Sequence, residues 1–150
     1  MSPQQPVVVV GHVPTPRGRA ALGHALVEAR RRGARLVVVN SSRGDALVDE
    51  EYLQGDALRR LHDELTVSGV PFELRRPVGR DVAEELADAV AQTGAEVLVI
   101  GLRRRTAVGK LLLGSAAQRI LLTVDCPVLA VKGPPRPPLE RIRSRAVSSV

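Results

Sequence analysis

The stretch of sequence that decides the fold is residues 97–115, which read VLVIGLRRRTAVGKLLLGS. The apolar run Val97–Ile100 predicts a buried strand, and the amphipathic segment that begins at Gly114 and Ser115 predicts a helix. The loop between them carries four cations, Arg103, Arg104, Arg105 and Lys110. Because the first N–H groups of a helix attract anions, this arrangement fits a phosphate. In the alternative interpretation Gly114 only permits a turn, Ser115 only caps the helix and the cations are solvated.

Four further short strands are predicted on either side of this stretch, at Val7–Val10, Leu36–Val39, Phe72–Arg75 and Val128–Val131. Between them lie segments with helical spacing: one that Gly33 ends, one from about Asp49 to Val67, one that Gly94 ends, and one with Ala117, Ile120, Leu121 and Val124 on one face. Strict β-α alternation predicts right-handed crossovers and a parallel sheet covered on both faces. We therefore expect an α/β fold with a single doubly wound five-stranded parallel sheet. Its ligand site should lie beyond the carboxyl ends of the strands, where the strand order reverses.

Composition predicts one domain followed by a tail. A chain of 150 residues with 44% hydrophobic content can bury one proper core. We assign that core to residues 1–133, and we predict that the Pro/Arg-rich segment 134–150 is disordered. The net charge of +6 raises nucleic acid as a partner, but 1% aromatic content offers no stacking platform and the arginines are scattered. We expect no nucleic-acid partner.

The location predicted from the sequence is the cytoplasm. Cys126 is the single cysteine, so no intrachain disulfide or cysteine-cluster metal site can form. The first residues lack a basic segment followed by a long apolar one, so no signal peptide is expected. No apolar run approaches the length of a membrane span, and we expect no membrane partner.

Residues 6–133 together resemble a universal stress protein of the UspA type. The resemblance rests on the strand-helix order, on Gly101-(x)2-Arg104-(x)9-Gly114-Ser115, and on the closing segment CPVLAVK at 126–132. It implies the adenine nucleotide alpha hydrolase-like fold, with strand order 3-2-1-4-5. It also implies a regulatory, non-enzymatic role in the stress response and an adenine nucleotide, ATP or AMP, as ligand.

The resemblance also implies a set of binding residues. Those carried over from the family pattern are Gly11, His12, Val39, Gly101, Arg104, Gly114 and Ser115. In the family, Gly101, Gly114 and Ser115 would meet ribose and phosphates, main-chain groups near Val39 would hold adenine, and the loop near 77–79 would close over the nucleotide. Three positions depart from the pattern: Gly11-His12 stands where ATP-binding members have aspartate, Arg104 replaces a glycine, and Ala117 replaces a second hydroxyl.

The sequence supplies no catalytic or metal-binding constellation. His12, His24 and His62 lie in separate segments without ligand spacing, and no nucleophile, base and orienting acid can be assembled. We therefore expect no enzyme, no catalytic residue and no metal site. Two alternatives stay open: a UspA-like protein that binds no ATP and acts through protein contacts, and a slow nucleotide hydrolase.

A homodimer through the fifth strand is the last expectation. In the order 3-2-1-4-5 the third and fifth strands form the sheet edges. The third, Phe72–Arg75, carries charges that discourage edge pairing, whereas Val128–Val131 carries none. Antiparallel pairing of the fifth strand with its own copy about a two-fold axis would satisfy the open edge.

Overall fold

The fold is a five-stranded, all-parallel sheet with helices on both faces. A computed structural model describes residues 5–42, 52–102 and 113–133. In chain order the elements are β1 (Val7–Gly11), α1 (Pro16–Arg32), β2 (Arg35–Val39), α2 (Gly55–Ser68), β3 (Phe72–Arg75), α3 (Val82–Thr93), β4 (Val97–Leu102), α4 (Ser115–Thr123) and β5 (Val128–Lys132). The strand order is β3-β2-β1-β4-β5, which confirms the predicted topology. The order reverses between β1 and β4.

The central strands are buried on both faces because they carry long runs of β-branched and other apolar residues. Val9 of β1 pairs with Val37 of β2 on one side and with Leu98 of β4 on the other. On one face of the sheet α1 and α2 pack on Val8 and Val10. On the other face, α3 and α4 pack on the alternate residues of the same strands. These two layers are the core of the protein.

The structure corrects three predictions: the start of α2, the end of β4 and the buried face of α4. Residues 52–54 are not helical, and α2 begins at Gly55 rather than near Asp49. Gly101 does not follow β4 but lies within it, because the pairing with β5 continues to Leu102. Leu121 was placed on the inner face of α4, yet 43% of it is exposed, and Ile120 and Val124 fill that face. The tail 134–150, predicted to be disordered, lies outside the described residues.

The helix ends follow local chemistry. Thr15 caps α1 by accepting a hydrogen bond from the Gly18 N–H, and Pro16 occupies the first helical position. Gly33 and Gly94 adopt left-handed conformations that end α1 and α3, as the sequence predicted. No helix among the described residues is long and apolar enough to cross a membrane.

Glycine at position 18 lets the first turn of α1 lie directly against the loop that follows β1. A Cβ built on Gly18 would overlap the carbonyl oxygen of Val13. The same helix contains Gly23, where an added Cβ would meet nothing within 4 Å. The two glycines of α1 therefore differ in their effect: packing requires glycine at position 18, whereas Gly23 only lowers the stability of the helix.

Gly18→Ala should lower the free energy of unfolding by more than about 2 kcal/mol, because the loop or the first turn of α1 must move to admit the methyl group. Gly23→Ala in the same helix should raise it by about 0.5–1 kcal/mol, because alanine is the better helix former. Urea unfolding followed by circular dichroism measures both. Equal effects of the two substitutions would contradict the close approach of α1.

Candidate functional site

A cavity of about 320 Å³ lies where the strand order reverses, at the carboxyl ends of β1, β2 and β4. The residues that line it come from three strand ends, the first turns of α1 and α4, and α3: Gly11, His12, Val13, Arg17, Gly18, Val39, Ser41, Val82, Leu86, Ile100, Gly101, Leu102, Gly114, Ser115, Ala116, Ala117 and Ile120. A crevice in this position is the usual ligand site of a doubly wound sheet.

Six of the seven residues selected from the sequence lie on the wall of this one cavity: Gly11, His12, Val39, Gly101, Gly114 and Ser115. The seventh, Arg104, lies outside the described residues, as do its cationic neighbours in the loop. Sequence reasoning missed Arg17 and Gly18, which reach the cavity from the first turn of α1. The pair Thr15-Pro16 is a helix-start signal that would have placed them there.

The first turn of α4 offers backbone donors to the cavity. Gly114 is the N-cap residue, and because it has no side chain, no side-chain hydrogen bond caps this helix. The N–H groups at the start of a helix have no intrahelical partner. Ser115, Ala116 and Ala117, which carry these groups, all lie on the cavity wall. The positive end of the helix dipole lies at the same place, so this wall is suited to an anion.

Gly101 is required by the packing of β4 against α1. A Cβ built on it would lie 2.6 Å from the Arg17 carbonyl oxygen, which is backbone and cannot swing aside. By contrast, a Cβ on Gly11 would meet only the Leu86 side chain, at 3.2 Å from Cδ1. The motif glycine Gly101 therefore has a structural cause that is independent of any ligand, although the residue also lines the cavity.

His12 is buried on the cavity wall with 5% of its surface exposed. Its backbone N–H donates to the Val39 carbonyl at 2.9 Å, and its ring Nδ1 lies 3.2 Å from the Gly18 carbonyl oxygen. Burial lowers the pKa of the imidazole from its ordinary value, the bond to Gly18 opposes that shift, and the nearby charge of Arg19 adds to it. The ring is therefore neutral at neutral pH.

Asn40 holds the cavity-lining end of β1 to the chain that enters α2. This fully buried side chain donates through Nδ2 to the His12 carbonyl at 2.9 Å and accepts through Oδ1 from the Leu53 N–H at 2.8 Å. Arg76 donates to the Leu53 carbonyl and lies over the Tyr52 ring. This network fixes the backbone beside the cavity.

The cavity wall has cationic but no acidic side chains among the residues that the structure describes. Among the lining residues that the structure describes, Arg17 is the one charged group. The same described part of the chain holds no group of three or more His, Cys, Asp or Glu residues that could bind a metal ion. The described lining therefore favours an anionic ligand, and no carboxylate in this described part could act as a general base.

Comparison with known proteins assigns the family. The model of the universal stress protein family matches residues 6–132, which include every lining residue of the cavity. A universal stress protein of Mycolicibacterium smegmatis is 51% identical over 126 residues, 84% of this chain and 97% of the relative. The chain belongs to the universal stress protein family.

Solved structures of universal stress proteins share the fold. One from Archaeoglobus fulgidus has a TM-score of 0.71 at 29% identity and covers 87% of this chain and 100% of its own. Another, in complex with cAMP, has a TM-score of 0.63 at 25% identity, with 84% and 95% coverage. The fold is thus the adenine nucleotide alpha hydrolase-like fold that the resemblance implied.

The stability of this universal stress protein should depend on the protonation of His12. Because its pKa is lower folded than unfolded, the unfolded chain binds more protons below about pH 6.5, and the free energy of unfolding falls as pH decreases through that range. His12→Asn should flatten this part of the stability–pH profile measured by urea unfolding. His24→Asn changes an exposed position of α1 and should leave the profile as in the unmodified protein. An unchanged profile in His12→Asn would contradict the shift.

Proposed function

We propose that this universal stress protein acts in the cytoplasm, binds an adenine nucleotide such as ATP or AMP, and is a regulator rather than an enzyme. The observation that carries the proposal is the uncapped first turn of α4 on the wall of a cavity at the strand-order reversal. A related protein of known structure binds cAMP, which supports the same class of ligand here. The phosphates would meet the N–H groups of residues 115–117 and the Ser115 hydroxyl.

The nucleoside would occupy the opposite part of the cavity, at the ends of β1 and β2. Val39 and Ser41 line that part together with His12. Val82, Leu86 and Ile120 supply apolar surface from α3 and α4. An apolar wall with a few polar groups at its ends matches the shape of a nucleotide, whose base is flat and whose phosphates are charged. Arg104 belongs to the same proposed set by the family pattern, although it lies outside the described residues.

The absence of a carboxylate from the described part of the cavity wall supports a binding protein over a nucleotide hydrolase. Hydrolysis needs a positioned base or metal to activate water. The slow nucleotide hydrolase remains the second candidate. Release of phosphate from ATP above the buffer rate, abolished by Ser115→Ala, would favour it.

Ser115→Asp should weaken the binding of AMP, ATP and cAMP by at least about tenfold, because a carboxylate in the first turn of α4 repels phosphate. The stability of α4 itself should not decrease, because a negative charge in the first turn of a helix interacts favourably with the helix dipole. Calorimetric titration measures the affinities, and adenosine, which has no phosphate, should bind both proteins equally. Ser115→Ala should cost only about 1 kcal/mol, the value of one hydrogen bond.

Ala91→Asp is the matched control, since it adds a carboxylate at an exposed alanine of α3 that does not line the cavity. Its affinities should stay close to those of the unmodified protein. Absence of heat and of any thermal shift with all three nucleotides at millimolar concentration would refute nucleotide binding. The alternative function, a UspA-like protein that acts through protein contacts alone, would then be favoured.

We also propose that the protein forms a homodimer through β5. This strand is a sheet edge, and its Ala130 is exposed while Leu129 packs partly against the core on the α1 side. Leu122, on α4 next in sequence to β5, is 88% exposed. The opposite edge, β3, is protected by charge, because Glu73 forms ion pairs with Arg35 and Arg75.

Ala130→Asp should convert the dimer to a monomer, because two carboxylates would meet near the two-fold axis of the paired edge strands. The substitution suits the test because Ala130 is exposed and its replacement leaves the core intact. Ala91→Asp, at an exposed alanine of α3, is the control and should remain dimeric. Light scattering at tens of micromolar gives the mass. A monomeric unmodified protein would refute the dimer.

A further inference from the structure

The ring of His12 has one defined arrangement of protons. Nδ1 lies 3.2 Å from the Gly18 carbonyl oxygen, and a carbonyl oxygen can only accept a hydrogen bond. Nδ1 therefore carries a proton and donates it. In a neutral imidazole the other nitrogen, Nε2, then has a lone pair and is an acceptor. The hydrogen-bond network thus assigns the tautomer.

The described part of the cavity wall has few side-chain hydrogen-bond acceptors. Among the described lining residues, no side chain carries a carboxylate or an amide, and only the hydroxyls of Ser41 and Ser115 offer other side-chain acceptors. Gly18 O is the one partner of the ring that the described residues provide. A ligand N–H or O–H that enters this part of the cavity would find Nε2 as its side-chain acceptor.

We propose that neutral His12 accepts a hydrogen bond through Nε2 from the nucleoside part of the ligand, and that protonation of the ring on acidification weakens nucleotide binding. The proposal rests on the proposed function, and it adds pH regulation to that site. The donor is an N–H or O–H, supplied either by the exocyclic amine of the base or by a ribose hydroxyl.

The charged groups that face His12 in the described structure favour the neutral ring. From α1, Arg19 acts on it electrostatically and Arg17 lines the same cavity. The lining residues that the structure describes in β2, α3, β4 and α4 carry no charge. A bond from the ligand to Nε2 exists only with the neutral form, so binding must expel a proton wherever the free ring is protonated. The affinity therefore falls as pH decreases.

The test uses cAMP as the probe, because its phosphodiester keeps one charge through the range where the monoester of AMP titrates, near pH 6. Calorimetry from pH 8 to pH 5 should show a constant affinity at high pH and a decline below the pKa of His12, by up to about tenfold per pH unit. Affinity that rises on acidification would mean that the ring acts as a cation toward the phosphate, and would overturn the proposal.

Two variants distinguish the loss of the Nε2 acceptor from a disturbance of the fold. In His12→Asn the side-chain amide can still donate to Gly18 O but nothing takes the place of Nε2, so affinity at pH 8 should fall by about tenfold. In His12→Gln the amide oxygen can reach the place of Nε2 without titrating, so affinity should be largely restored and should not depend on pH. His24→Asn, on the exposed face of α1, should keep both the affinity and the pH profile of the unmodified protein.

Ligand analogues identify the donor. If the base amine donates, IMP should bind the unmodified protein more weakly than AMP does, and it should bind the unmodified protein and His12→Asn with equal affinity. If a ribose hydroxyl donates, dAMP or 3′-deoxy-AMP should show this behaviour instead. Equal affinities of His12→Asn and the unmodified protein at pH 8, for cAMP and also for AMP, which unlike cAMP has a free 3′-hydroxyl, would overturn this proposal alone. Absence of cAMP, AMP and ATP binding to the unmodified protein would overturn the proposed function together with it.

Discussion

The close approach of α1 to the ends of β1 and β4 is the constraint on which the cavity depends. It is possible only because Gly18 has no side chain against Val13, and Gly101 has none against the Arg17 carbonyl. This contact brings the first turn of α1 into the wall and sets the Gly18 carbonyl beside the His12 ring. A larger residue at either glycine would move α1 and change the shape of the cavity.

The glycines of the motif therefore have different physical causes. Gly114 leaves the first turn of α4 without a side-chain cap, which keeps backbone donors for a ligand. Gly101 is required for the packing of α1 against β4, so its presence indicates the fold and does not by itself indicate nucleotide binding. The proposal of nucleotide binding therefore rests on the first turn of α4 and on the cavity, not on the number of glycines that match a pattern.

Periodicity and β-α alternation predicted the parallel sheet, because buried strands and amphipathic helices have recognisable local sequence patterns. The strand order β3-β2-β1-β4-β5 was predicted from the family resemblance, not from periodicity. Periodicity failed where tertiary contacts determine the start of a helix or which of its residues are buried. Tyr52 and Leu53 are held by Arg76 and Asn40 in a non-helical segment, which delays the start of α2. Leu121 has the spacing of a core residue, yet α4 is short and Ile120 and Val124 already fill its inner face. The bond between His12 and Gly18 joins two polar groups across a turn, and hydrophobic patterns carry no signal for it.

That bond also explains why histidine is compatible with position 12 in this chain. The Gly18 carbonyl faces the side chain of residue 12, and an imidazole can donate to it while a carboxylate cannot. An aspartate, which the family pattern has at this position, would place two hydrogen-bond acceptors against each other in a buried site and leave a polar group unsatisfied. His12→Asp would therefore not simply restore the family pattern. The His12 ring donates through Nδ1 to the backbone of α1, and in our proposal its Nε2 accepts from the ligand.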